Sequence, residues 1–216
     1  MEINMQIIDI TIPLTESTPV WEGEKGITIQ QSASIGDISD YNVSRCELGL
    51  HSGTHIDAPF HVFRDGKTID AIPMEKMVGQ VQVVEFTENV PVINAQVLRG
   101  IDMDPTIKKI LLKTKNSNFW GNETVCFHRD YVGIDASAAE YFNAIEMELI
   151  GIDWFSISTY NDLLRPHKIL LEKQVVLVEN LDLRNVKPAV YQLFCLPLKI
   201  LGVDGSPARV ILTSDQ

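Results

Sequence analysis

The chain has 216 residues, 45% of them hydrophobic, and a formal net charge of −11 at pH 7. The length and apolar fraction fit one large domain with a sizeable core, so we expect residues 1–216 to form a single domain. The acidic balance argues against nucleic acid and anionic membrane surfaces as partners, because both are bound by basic patches.

Strands and loops dominate the predicted elements of the first half. An alternating, isoleucine-rich pattern predicts a strand over residues 6–14, and Pro19, Gly23 and Gly26 mark a loop over residues 15–26. Further strands are predicted over residues 27–35, 41–50 and 80–86, and short helices over residues 69–77 and 94–100.

Helical and β-branched segments alternate in the second half. Helices are predicted over residues 136–145 and 167–173, the second with Pro166 in a first turn that tolerates proline. Strands are predicted over residues 109–114, 149–153, 175–178, 190–201 and 208–213, with a polar loop over 116–122 and a turn over 202–207. Interleaved strands and helices, with strands in excess, predict a mixed α/β fold.

Residues 51–61 read His-Ser-Gly-Thr-His-Ile-Asp-Ala-Pro-Phe-His and hold three of the five histidines in the chain. We call this segment the histidine motif. Imidazole nitrogen and carboxylate oxygen are the ligands of zinc, and they also suit manganese or iron. Gly53 and Pro59 argue against a helix, so we expect a strand end and a loop that bring side chains together. A metal site explains this clustering better than a purely structural role.

A hydrolytic metal needs three or more protein ligands and an open position for water. His51, His55 and Asp57 can supply three ligands, and the two oxygens of Asp57 can bridge a second metal. His61 lies further along the loop and is either another ligand or an acid/base group, since imidazole titrates near neutrality.

A second candidate pair lies far along the chain. His167 stands at the start of a predicted helix and Glu179 at the end of the following strand, and those two ends can meet in space. Glu179 interrupts an apolar strand, where burying a carboxylate is unfavourable without a partner or a metal. Asp153 ends a similar strand, and we interpret it as structural or as a support behind the ligands. His128 has no candidate ligand near it and is interpreted as structural.

Three cysteines, Cys46, Cys126 and Cys195, are widely spaced and form no Cys-x-x-Cys pair. The odd count and the spacing argue against a disulfide framework and predict three reduced, mostly buried thiols. The first residues lack the basic and apolar regions of a signal peptide, and no apolar run reaches membrane-spanning length. We therefore expect a cytoplasmic location.

The pattern His51-x-Gly53-Thr54-His55-x-Asp57-x-Pro59-x-His61 resembles the signature of the metal-dependent cyclase-like hydrolases, a family that includes kynurenine formamidases (arylformamidases) and isatin hydrolases. Supporting likenesses lie in residues 18–23, 149–153, 167–181 and 196–209. Where the family loop often reads Trp-Pro-Gly-Asp, this chain has Trp21-Glu22-Gly23-Glu24, a change that concerns the pocket rather than the ligands.

The resemblance implies a swivelling β/β/α fold, assembly as a homodimer or larger homo-oligomer, and a binuclear zinc or a manganese centre. It implies a first metal bound by His51, His55 and Asp57, and a second bound by Asp57, His167 and Glu179. It also implies that His61 is an acid/base residue and that Trp21 contacts an aromatic substrate.

The leading hypothesis is a metal-dependent amidohydrolase that cleaves an aryl formamide such as N-formylkynurenine, an intermediate of tryptophan catabolism, or a lactam or cyclic imide. One alternative is a cyclase or dehydratase that uses the same metal on a carbonyl substrate. The other is a metal-stabilised binding protein without catalysis. Other schemes fit less well, because Gly-x-Ser-x-Gly, phosphate-binding and dinucleotide-binding glycine loops and His-Glu-x-x-His are absent from the sequence.

Overall fold

The structure is a computed structural model that describes residues 5–37, 39–86, 89–121 and 125–215. The strands are β1 (Met5–Asp9), β2 (Thr28–Ala33), β3 (Val43–Glu47), β4 (His55–Asp57), β5 (Val78–Glu85), β6 (Lys109–Lys113), β7 (Leu149–Ile152), β8 (Val176–Glu179), β9 (Ala189–Pro197) and β10 (Gly205–Asp215). The helices are α1 (Ala95–Arg99), α2 (Ala136–Ala144) and α3 (Leu164–Glu172). No helix in these ranges is long and apolar enough to cross a membrane.

Seven strands close into a barrel-like mixed sheet. Their order is β10-β4-β8-β7-β6-β5-β9, and β9 pairs back onto β10. The neighbours from β5 to β8 run parallel, whereas the pairs that involve β4, β9 and β10 are antiparallel. β1 pairs with residues 211–215 at the end of β10, and β2 with β3 forms a separate two-stranded ribbon. The predicted mixed α/β class is confirmed.

Both faces of the central strands are buried. One face of the closed sheet packs inward around Ile56, Leu111 and Leu193. The opposite face of β5 to β8 packs against the helices, with Phe142 of α2 and Leu170 of α3 in contact with it. Burial on both faces explains the nearly continuous apolar runs of β6, β7 and β8.

Several predicted boundaries were wrong. The strand predicted over residues 6–14 ends at Asp9, and beyond it Thr11 makes only an isolated bridge to Leu181. The helix predicted over residues 69–77 is two 3₁₀ turns, because Pro73 breaks the backbone hydrogen bonding between them. The strand predicted over residues 190–201 ends at Pro197.

The segment predicted as a loop over residues 116–122 is a 3₁₀ helix over Lys115–Gly121, and Asn122 lies outside the described residues. Its first turn is held by Asp153, which accepts hydrogen bonds from the backbone N–H groups of Thr114 and Ser117. The structural interpretation of Asp153 matches these contacts.

The three cysteines are free thiols, but the prediction that they are mostly buried was wrong. Cys195 is buried in the barrel, whereas Cys46 and Cys126 are exposed. Cys46 lies on β3, whose five residues are all exposed.

Candidate metal centre and active site

Strand β4 carries the centre of the histidine motif. His55 and Asp57 are two residues apart on this strand and therefore project from the same face, while Ile56 projects into the barrel core. β4 lies between β10 and β8, with His55 opposite Glu179 and Asp57 opposite Gly205. Strand pairing therefore assembles two acids and a histidine on one surface.

Asp57 lies at the middle of the cluster with only 1% of its surface exposed. Its Oδ1 is 2.8 Å from Nδ1 of His51 and 3.4 Å from Nε2 of His55, and its Oδ2 is 3.6 Å from Nε2 of His167. Apart from these ring nitrogens, no described residue offers a hydrogen bond to either oxygen. A buried carboxylate in this condition is unfavourable unless a charge is bound next to it.

Glu179 contacts two of these histidines, His55 and His167. Its Oε1 is 3.2 Å from Nε2 of His167 and accepts a hydrogen bond of 2.6 Å from the backbone N–H of Ile157. Its Oε2 is 3.4 Å from Nε2 of His55. Two overlapping groups result, each with ligand atoms within 4.8 Å of one another: His51–His55–Asp57 and Asp57–His167–Glu179.

Hydrogen bonds behind the histidines fix which ring nitrogen faces the carboxylates. Nδ1 of His55 is 2.9 Å from the carbonyl oxygen of Gly53, and Nδ1 of His167 is 2.6 Å from that of Leu163. Because a carbonyl only accepts, both Nδ1 atoms carry the hydrogen, and Nε2 of each ring is left to bind a cation.

The orientation of the third ring, that of His51, is set by a hydrogen bond to a carboxylate rather than to a carbonyl. Nε2 of His51 donates to Oδ2 of Asp204 at 2.8 Å, which leaves its Nδ1 facing Asp57. A Cβ added at Gly205 would lie 2.7 Å from Cε1 of His51, so only glycine lets the ring pack this closely over the start of β10.

When no metal is bound, the three histidines and the carboxylates beside them strongly shift one another's pKa values. Burial by itself would lower the pKa of each histidine, but the Asp57 charge, with Asp204 or Glu179, raises the pKa of His51 to about 11, of His55 to about 9 and of His167 to about 10. In turn the nearby histidines hold the pKa of Asp57 well below its usual range, against its burial. Protons thus occupy the nitrogens that a divalent cation would otherwise bind.

Asp204 was missed by the sequence analysis, which treated residues 202–207 only as a turn. Besides accepting from His51, its Oδ2 is 3.5 Å from Nδ1 of His61. The hydrogen bond from His51 lowers the pKa of Asp204 well below its ordinary value, although partial burial opposes the shift. The available signal was an acid in the turn that leads into the last predicted strand.

His61 lies at the mouth of the cluster. It ends the 3₁₀ turn Pro59–His61 and its side chain is 36% exposed, in contrast to the buried His55 and His167. Its ring centroid is 4.3 Å from that of His51. It belongs to neither group that contains Asp57, but forms a third group with His51 and Asp204.

A cavity of about 250 Å³ opens directly above this cluster. Its walls are lined by Trp21, Glu24, His51, His55, His61, Val62, Phe155, Ser156, Leu163, Leu164, His167 and Glu179. Trp21 is held by an edge contact with Phe127 at 4.8 Å and by stacking on Tyr160 at 6.1 Å. Every residue that the sequence analysis proposed for the site therefore lies in this cavity wall, except Asp57, which lies buried among the ligand nitrogens.

His128 is not part of the cluster. Its ring packs 4.7 Å from Phe119 and 6.2 Å from Trp154, and no group of potential ligands among the described residues includes it. The structural interpretation of His128 agrees with these contacts.

Comparisons with known proteins identify the family of the chain. The sequence model of the family described as "Putative cyclase" matches residues 8–159. A rice (Oryza sativa subsp. japonica) "Cyclase-like protein 3" is 34% identical over 96% of this chain and 79% of its own length. The "Kynurenine formamidase" of Salinibacter ruber is 32% identical over 96% of this chain and 97% of its own length. A solved structure described as a potential metal-dependent hydrolase with cyclase activity superposes with a TM-score of 0.84 at 29% identity, covering 98% of this chain and 99% of the other.

Proposed function

Because the chain belongs to this cyclase family, we propose that it is a metal-dependent hydrolase that cleaves a carbon–nitrogen bond in a small aromatic amide. The observation that carries the proposal is Asp57, a buried carboxylate that faces the ring nitrogens of three histidines and has no other hydrogen-bond partner among the described residues. It lies beneath a cavity lined by Trp21 and Phe155.

The donor set fits one or two divalent cations. We assign His51, His55 and Asp57 to the first ion and Asp57, His167 and Glu179 to the second, with Asp57 shared. Mixed imidazole and carboxylate ligands favour zinc, with manganese as the alternative. When bound, such a cation acts as a Lewis acid that makes water a stronger nucleophile near neutral pH and polarises a carbonyl.

His61 is assigned to proton transfer. Its ring is open to the cavity and lies beside the ligands without entering either group that contains Asp57. In hydrolysis it would hold the proton that the leaving nitrogen receives, a role worth roughly 10²–10⁴-fold in rate. Asp204, 3.5 Å from Nδ1 of His61, would orient the ring with its Nε2 toward the substrate.

The cavity favours a compact aromatic substrate. At about 250 Å³ it lies below the range of roughly 300–1,000 Å³ that is usual for ligand pockets. Trp21 and Phe155 offer flat apolar surfaces to a single ring, and Val62 and Leu163 close the sides. An aryl formamide such as N-formylkynurenine, as the name of the Salinibacter relative suggests, or a small lactam or cyclic imide fits this lining.

The chain would act in the cytoplasm as a homodimer, with residues 1–216 as one hydrolase domain. The exposed Ile35 and Tyr41 near the tip of the β2–β3 ribbon offer an apolar surface to a second copy. Light scattering on the purified protein tests this assembly, and a monomeric mass at micromolar concentration would contradict it.

Metal analysis combined with a substrate screen tests the function. Protein purified without added metal is analysed for its elements and assayed with N-formylkynurenine, isatin and a cyclic imide, before and after chelation. We expect a stoichiometric divalent metal, turnover that chelation abolishes and recovery on adding zinc or manganese. Turnover that survives complete metal removal would refute the proposal.

A cyclase or dehydratase reaction is the second candidate, because the rice relative and the solved structure both carry cyclase in their descriptions. The same ligands and the same cavity would serve a carbonyl substrate. Product analysis separates the two, since hydrolysis incorporates one oxygen from ¹⁸O-labelled water into the acid product, whereas cyclisation does not form an acid.

A further inference from the structure

We propose that Glu24 sets the charge selectivity of this enzyme, favouring aromatic amides whose side chain ends in an ammonium or a neutral group over those that end in a carboxylate. The inference rests on the proposed amide hydrolase function and narrows its substrate class. It follows from where the Glu24 carboxylate lies, from its lack of a partner and from the other residues of the cavity wall.

Glu24 belongs to the same loop as Trp21 and lines the same cavity. The backbone N–H of Glu24 donates to the carbonyl oxygen of Trp21 at 3.0 Å, so a closed backbone turn carries both side chains. A Cβ built at Gly49 would lie 3.5 Å from Oε2 of Glu24. The carboxylate therefore lies beside the turn that leads into His51, at the mouth of the cavity.

Neighbouring acids are neutralised, but Glu24 is not. Glu22 binds Arg129 through two hydrogen bonds of 3.0 and 2.7 Å, and Glu47 pairs with Lys25 at 2.5 Å. No basic side chain in the described ranges pairs with Glu24. Arg129 is also committed to Glu22, which leaves it unable to bind a substrate carboxylate with the same atoms.

The cavity wall contains no lysine or arginine, as far as the described residues show. A substrate ring that packs on Trp21 with its reacting amide over the ligand cluster leaves its side chain near the mouth, where Glu24 is the charged group. An ammonium there is attracted both by the carboxylate and by the face of Trp21, whereas a carboxylate is repelled and finds no lysine or arginine in the described wall to replace its water. Selectivity then arises as much from repulsion of one class as from attraction of the other.

The exposure of Glu24 limits how strongly the enzyme can discriminate between ammonium and carboxylate substrates. Glu24 is exposed, and exposed charge pairs contribute little in water, so the discrimination should be about tenfold rather than a thousandfold. It should narrow at high salt, because mobile ions screen exposed charges. The formal charge of −11 adds a weaker general repulsion of anions, which substitution of any one acid changes equally.

Three matched substrates test the proposal. They are 2-acyl formanilides with the same ring and ketone, whose side chains end in an ammonium, a primary amide or a carboxylate. The ratio of kcat/KM between ammonium and carboxylate compounds is measured for the metal-loaded wild type, Glu24→Gln and Glu24→Lys. Glu75→Gln is the control, because Glu75 is exposed and does not line the cavity, yet its loss changes the net charge by the same amount.

The wild type and Glu75→Gln should prefer the ammonium compound about tenfold, mainly through KM. Glu24→Gln should bring the ratio close to one, and Glu24→Lys should reverse it. Equal ratios in all four proteins would overturn the role of Glu24 and leave the hydrolase function standing. Failure of the wild type to hydrolyse any of the three compounds would overturn this inference, and failure on isatin and a cyclic imide as well would overturn the proposed function.

Discussion

His55 on β4 lies directly opposite Glu179 on β8, with Nε2 of the histidine 3.4 Å from Oε2 of the acid. The contact is fixed by the antiparallel register of two central strands rather than by a loop. Sites on regular elements hold their geometry better than sites on loops. Substitution of one ligand should therefore remove its chemistry without rearranging the others.

Asp57→Asn should abolish metal binding and turnover. The amide keeps the shape of the side chain but removes the negative charge that both ligand groups share. Elemental analysis should find less than about a tenth of the wild-type metal, because loss of a shared charged ligand weakens both ions. Zinc should raise the melting temperature of the wild type but not that of the variant, since a ligand stabilises only a protein that binds it.

Asp65→Asn is a matched control, because Asp65 is an exposed acid in the same part of the chain and belongs to no ligand group of the described residues. It should retain wild-type metal content and turnover. Full metal content in Asp57→Asn would refute the ligand assignment.

His61→Ala should retain the metal and lose most of the turnover. His61 lies outside the two groups that share Asp57, so its removal leaves both intact. We expect kcat to fall by roughly 10²–10⁴-fold, the usual loss for a missing general acid or base. Kinetics and elemental analysis on the same preparation measure both quantities.

Asp204→Asn separates orientation from ligation. It keeps the hydrogen-bonding shape next to His51 and His61 but removes the charge, so kcat should fall less than in His61→Ala. Loss of metal from His61→Ala, with Asp204→Asn behaving the same way, would instead identify His51, His61 and Asp204 as an occupied metal site.

Short-range spacing was sufficient to predict most of the residues that the structure brings together. His55 and Asp57 share a strand face because they are two residues apart, and Gly53 and Pro59 correctly indicated a strand end and a turn rather than a helix. Glu179 was found because an acid at the end of an apolar strand needs a partner.

The pairing between strands far apart in the sequence could not be predicted from short-range spacing. Asp204 reaches His51 only because β10 pairs with β4 through Gly205 and Asp57, and no local pattern encodes that pairing. The sequence analysis also misjudged one helix. The segment predicted as a helix over residues 69–77 forms two 3₁₀ turns, because Pro73 lacks the backbone N–H that an α-helix needs there.

The metal-free protein should lose stability as the pH rises through the alkaline range. His51, His55 and His167 have ordinary pKa values near 6.5, and the buried carboxylates raise them to between about 9 and 11 despite the opposing effect of burial. Because the folded-state pKa values are raised, their stabilising contribution is complete below about pH 6.5. It is lost as the pH rises through 9 to 11.

Thermal unfolding of chelator-treated protein between pH 6 and 10.5 measures this loss. Asp57→Asn is the comparison, because removing the shared charge should lower the three pKa values and flatten the profile. A wild-type melting temperature that does not change with pH would refute the charge coupling between the histidines and Asp57. The same protons must leave when a metal binds, so zinc affinity should increase with pH over the same range.

Asp153→Ala should destabilise the fold without removing the metal. Asp153 is fully buried and accepts hydrogen bonds from the N–H and hydroxyl groups of Thr114 and Ser117, at 2.7–3.0 Å. Alanine leaves two buried backbone donors unsatisfied, which should lower the free energy of unfolding by about 3 kcal/mol. Urea denaturation measures the change, and loss of metal at unchanged stability would instead make Asp153 a support of the ligands.

Asp153→Asn tests the charge separately. Burial raises the pKa of Asp153 to about 6 even though Ser117 and Thr114 favour the charged form. With its folded-state pKa above the ordinary 3.8, this carboxyl contributes most stability at low pH and less as the pH rises through about 6. Asparagine cannot titrate, so the difference in unfolding free energy between the wild type and Asp153→Asn should shift in favour of the variant from pH 4 to pH 7. A difference that does not change over this range would show that Asp153 is ionised throughout, held so by the hydrogen-bond donors around it.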